Sequence, residues 1–224
     1  CHTDLDCGQQ PQHGACMLGT CVGLLTTESQ AVRVTLARRL ETANVAVRDD
    51  AAERMLAVVG SETAGRGARL GAIEGIGRLI AREKPCGDLC AALRLAAKDD
   101  DEQLAVTARL ALSRRGDETV RERLLEDARL GTEYLRCAAA EALGHQLDGQ
   151  RSEEVVEALV ALSDDAAWSV RMEALKSLLK VRDLAPVSAA LARMKRRGDV
   201  AVRYLLDRDA FARAPATSAQ DGPR

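Results

Sequence analysis

Aromatic side chains are almost missing from this chain, whose 224 residues include one Phe, one Trp and two Tyr. Sandwiches and barrels draw heavily on aromatics for their cores, so the scarcity points to close-packed helices of Ala and Leu. Lysine is scarce too: only Lys84, Lys98, Lys176, Lys180 and Lys195 stand among 32 basic residues. No apolar run reaches the roughly 18 residues that a membrane span needs. With a net charge of −2 and a pI near 6.0, no overall field draws the chain to nucleic acid or to an anionic membrane. No Ser-His-Asp or Cys-His set, phosphate loop, HExxH or CxxCH motif occurs. No catalytic residue, metal ligand or cofactor site is therefore assigned. What is plentiful is apolar and charged residues together, 46% and 29%, the composition of a folded chain.

Those residues are periodic. A pattern of aliphatic, Arg, two residues, small or aliphatic, three residues, aliphatic returns six times. Val32-Arg33 leads to Leu36 and Leu40, Ala68-Arg69 to Ala72 and Ile76, and Leu104-Ala105 to Ala108 and Leu112. Leu135-Arg136 leads to Ala139 and Leu143, Val170-Arg171 to Ala174 and Leu178, and Val202-Arg203 to Leu206 and Ala210. The second positions are separated by 36, 36, 31, 35 and 32 residues. Self-similarity at that spacing predicts stacked helix pairs. The pattern marks the B helix of each pair. A second amphipathic set, the A helices, is predicted near 45–59, 86–98, 117–129, 152–163 and 184–197, with glycines or capping residues between. In the fourth of these, Val155, Val156, Leu159, Val160 and Leu162 face away from Glu153, Glu154 and Glu157. Gly144 and Gly149 read as the stop of the B helix before it.

Residues 1–26 differ from the rest. They hold Cys1, Cys7, Cys16 and Cys21, four glycines, His2 and His13, and no Arg or Lys. This C-x5-C-x8-C-x4-C segment resembles the small cysteine-rich segments of secreted bacterial proteins. The resemblance implies disulfide staples, which a segment this short needs in place of a core. The rival is a zinc site using His2 or His13, but the CxxC pairs of a zinc knuckle are absent. Four cysteines allow three connectivities. Cys1 opens the sequence, and a chain starting on Cys is what lipoprotein signal peptidase leaves, so Cys1 is also a candidate for lipidation. The organisation read here is a Cys-rich segment at 1–26, a solenoid at 27–211 and a polar tail at 212–224.

Leu162-Ser-Asp-Asp-Ala-Ala-Trp-Ser-Val-Arg-Met-Glu-Ala-Leu175 resembles a HEAT-like repeat of the phycobilisome-lyase type: an acidic turn, Val-Arg, then Ala and Leu at four-residue steps. Asp199 to Arg203 and Glu133 to Gly144 are similar, whereas the unit with Ala105 departs from the pattern. The resemblance implies an all-α, right-handed α-solenoid of about five HEAT-like pairs. It does not choose a function, since fold alone does not.

The Arg row (Arg33, Arg69, Arg136, Arg171, Arg203) reads as structural, each Arg pairing with a turn acid of its own or the adjacent repeat, as Asp165 and Asp199 are placed to do. The same acids are expected to N-cap the B helices. Cys86 and Cys90, four apart at a helix start, are expected to form a disulfide. Cys137 reads as a buried thiol acting as a small apolar residue, and Trp168 as a packing cap. His145 ends a helix, where its partial charge suits the dipole. The basic runs at Arg66 to Arg69 and Lys195 to Arg197 read as solvated faces.

The expectation is a non-catalytic scaffold that docks another protein on the B-helix face, in an exported or envelope-associated assembly. Tyr204, Leu205 and Phe211 are candidates for its edge. Nucleic acid is not expected, and a membrane only through a lipid on Cys1. The alternative is a lyase-like helper handling a covalently attached chromophore or cofactor, for which Cys137 is the candidate thiol.

Overall fold

The computed structural model describes residues 45–81, 86–148, 151–198 and 202–207, with the backbone of two short strands near the N-terminus. The expectations for Cys1, Cys7, Arg33, the helix at 32–40, Asp199, Phe211 and the tail lie outside the described residues. Strands β1 (Cys16–Met17) and β2 (Thr20–Cys21) pair antiparallel, Cys16 opposite Cys21. This hairpin was not foreseen in the Cys-rich segment.

Ten helices follow among the described residues, in five pairs. The A helices are α1 (Val45–Val59), α3 (Gly87–Ala96), α5 (Arg121–Leu130), α7 (Glu153–Leu162) and α9 (Ala185–Arg196). The B helices are α2 (Arg66–Ile80), α4 (Glu102–Ser113), α6 (Glu133–Gln146), α8 (Trp168–Leu178) and α10 (202–207). A 3-10 turn at Glu118–Val120 leads into α5. The chain is a helical repeat solenoid: each of the first four A helices lies against its own B helix, and α2, α4, α6 and α8 stack on one another in order.

Local chemistry sets the boundaries. Asp101 accepts from the backbone N–H of Gln103 and Leu104, capping α4, and Thr132 accepts from Leu135, capping α6. Asp165, expected to cap α8, does not; Ala167 holds that position, and Asp165 instead accepts from the Ala167 N–H in the turn. Gly116 reverses the chain after α4 with φ +76°, a conformation that L side chains rarely adopt.

One apolar core runs from Ala51 to Ala190 through every pair, with Ile73, Ile76, Leu93, Leu112, Leu143 and Leu159 fully enclosed. Each such side chain contributes roughly 1.5–3 kcal/mol of transfer free energy. A smaller cluster of Met172, Leu175, Met194 and Val202 closes the C-terminal pair, and Leu205 packs on it.

Gly144 corrects the reading as a helix stop. It lies inside α6, where α8 comes so close that a Cβ would stand 3.3 Å from Ser177 Cα and nearer still to its side chain. Gly77 in α2 does the same toward Ala111 of α4, at 2.7 Å. In the repeat register these glycines stand eight residues after the ladder position, and the small partners six after theirs. The corresponding residue of α4 is Ser113, not glycine.

Candidate protein-docking groove

Two of the ladder arginines, Arg69 and Arg136, tie one repeat to the next, the bond falling at the turn before the following B helix. Arg69 pairs with Asp99, and Arg66 beside it with Asp101 at 2.6 Å. Arg136 grips Asp165 with Nε at 2.7 Å and Nη2 at 3.0 Å, and donates to the Gly131 carbonyl at 2.9 Å. These bonds hold the Asp165 and Asp101 carboxyls below their ordinary range, in each case chiefly through the Arg hydrogen bond. Arg171 donates to the carbonyls of Asp165 and Ala166, and Arg203 is exposed. Arg69 and Arg136 are thus mortar between repeats, whereas Arg171 braces its own turn. The basic runs lie on solvated faces, as expected, and carry exposed ion pairs there: Arg197 meets Asp164 at 2.9 Å and Lys195 lies 3.9 Å from Asp207.

With the repeats held in register, the B helices form the walls of a groove of about 400 Å³. Leu110 of α4 and Cys137 and Ala138 of α6 give it part-exposed apolar patches over a buried floor of Leu70 and Val106. Its charges answer one another. Arg114 Nη2 lies 3.2 Å from Glu141 Oε1, His145 Nε2 lies 3.8 Å from the same oxygen, and Lys176 bonds Glu173 at 2.5 Å. The His145 bond, ahead of Arg114, keeps the Glu141 carboxyl below its usual value. Tyr134 lines the groove and is about half exposed, at 47%. The Ser169 hydroxyl donates to Glu133 at 2.6 Å, so the N-termini of α6 and α8 meet. Trp168 is 52% exposed, which corrects its reading as a packing cap; Tyr204 is 63% exposed.

Cys137 also departs from expectation. It is half-buried and faces the groove. Burial first, then Glu173 and Glu141, push its thiol upward, so little thiolate forms at neutral pH and nucleophilic chemistry is disfavoured. Cys86 and Cys90 form a disulfide at the start of α3, away from the groove. Among the described residues no three His, Cys, Asp or Glu side chains cluster as metal ligands would. The groove residue Leu110 escaped sequence reading because apolar helix positions look alike until the stack shows which of them stay partly open. The half-exposed Tyr134, in a chain with so few aromatics, was the one signal available.

No family model matches the chain, and no curated protein matches it either. Among solved structures, a computationally designed armadillo repeat protein for modular peptide recognition is similar over 81% of this chain and 88% of its own, at 16% identity and a TM-score of 0.42. A likeness that distant carries no argument; the class, a helical repeat solenoid, rests on the helix pairs themselves.

Proposed function

We propose that the chain is a non-catalytic scaffold that holds a segment of another protein in the B-helix groove, within an exported or envelope-associated assembly. The observation that carries this reading is the groove itself. It joins apolar patches to internally paired charges and an exposed aromatic edge, the mixture that binds a partner segment without covalent chemistry. Export is supported by the Cys-rich spacing at 1–26 and by the Cys86–Cys90 bond, since disulfides persist in oxidising compartments. The elevated Cys137 thiol weighs against a lyase-like role.

The test is purification from the native cell with mass spectrometry, for the natural chain and for Leu110→Glu. The expected result is a stoichiometric partner protein that the variant loses, with Cys1 lipidated or disulfide-bonded. Recovery alone, retention of the partner by the variant, or a small molecule attached to Cys137 would overturn the reading.

A further inference from the structure

We propose that a cleft on the A-helix side, between the second and third pairs, binds a small oxyanion of the phosphate type. The proposal is independent of the groove reading. Whereas α1 lies against α3, α5 against α7 and α7 against α9, the helices α3 and α5 part. The gap is a cleft of about 620 Å³. Its lining includes Arg94 and Lys98 from the end of α3, Arg109 from α4 and Arg123 from α5, over an apolar floor of Ala97 and Val120.

The charges do not cancel. Arg94 is matched by Asp117 at 2.6 Å. Arg109 and Arg123 share one carboxylate, Asp127, each at 3.1 Å from a different oxygen. Arg123 also meets the exposed Glu126 at 2.9 Å, but that pair is solvated and weak. Asp99 on the rim is already engaged by Arg69. Among the described residues no acid pairs with Lys98. Arg109 is the deepest of these cations. Its side chain is 6% exposed, its Nη1 donates to the Ala97 carbonyl at 3.1 Å, and its Nε is sealed from solvent without a hydrogen-bond partner. A buried guanidinium sharing its counter-ion leaves positive charge in a low-dielectric wall, and there an anion gains more than at an open surface. Guanidinium and ammonium groups converging on one cleft fit a tetrahedral oxyanion, and the apolar floor accommodates an ester group.

The experiment titrates the full chain with inorganic phosphate and, separately, phenyl phosphate by calorimetry at low ionic strength. Three variants are compared: Lys98→Gln with Arg123→Gln, Lys98→Gln alone, and Arg193→Gln with Arg197→Gln as a remote control of equal charge change. We expect saturable one-to-one binding, weakened on the order of tenfold in the cleft pair, several-fold in the single variant, and unchanged in the control. Tighter binding of phenyl phosphate would identify the ligand as a phosphate ester, and equal binding as the free ion. Absence of saturation at millimolar phosphate, or equal weakening in the control, would overturn the proposal. If the cleft pair loses its helical circular dichroism, the single variant, changed at an exposed position, decides alone.

Discussion

The joint between α6 and α8 and the joint between α4 and α6 stack the same kind of helices by different means. At the first, Arg136 bridges to Asp165 outside the core, and Gly144 lets Ser177 bond the Ala140 carbonyl at 2.9 Å. At the second, Ala105 replaces the arginine, Ser113 replaces the glycine, and the turn that would supply the acid is cut to Gly131 and Thr132. The bridging charge has moved inward to Arg109 and Asp127, 6% and 4% exposed. The A helices part at this second joint, and the cleft opens there. A missing rung and a shortened turn belong together: with no room for the acid, an arginine at 105 would have nothing to bond.

The comparison is broken most strongly by Arg109→Met, which strips Asp127 of its deepest partner. About 3 kcal/mol of stability should be lost at neutral pH. Burial already raises the Asp127 carboxyl, and the variant raises it further. A raised carboxyl costs stability above its folded pKa and is relieved as pH falls through it, so the loss should shrink on acidification. Adding Asp127→Leu should restore or exceed the natural stability; denaturant melts at two pH values measure both. Next comes Gly144→Ala, expected to cost about 2 kcal/mol by overpacking and to be rescued by Ser177→Gly in a double-mutant cycle.

Arg136→Ala should cost about 1 kcal/mol, because its pair is only partly buried. The Asp165 carboxyl is lowered, so its contribution is full above the ordinary value of 3.8 and lost as pH falls through the folded value. The difference between Arg136→Ala and the natural chain should therefore vanish in acid, as thermal melts across that range would show. A last substitution sharpens the contrast. Ala105 is 4% exposed, so Ala105→Arg, with no acid in reach, should lower the melting temperature, and a gain would show that the second joint does offer an acid.

The stack was legible because buried helix faces must repeat: the ladder positions among the described residues and the five A helices were placed within a few residues. The pairing of Arg69 and Arg136 with acids of the following turn was legible for the same reason. Gly144 misled because glycine serves equally to end a helix and to let two helices touch, and only the neighbour at Ser177 distinguishes them. Arg109 and Asp127 stayed hidden because charged residues in a helix read as solvent-facing. The 31-residue step was visible all along, but its meaning lay in the geometry of a two-residue turn.

The bond between Cys86 and Cys90 closes a loop of five residues, and restraining so short a loop contributes only about 2 kcal/mol in the chain-entropy view. The five-pair core does not hang on it. Its oxidation state can follow its surroundings without unfolding the stack, and the mass of the peptide that spans Cys86 and Cys90 turns it into a built-in recorder of the compartment through which the chain has passed.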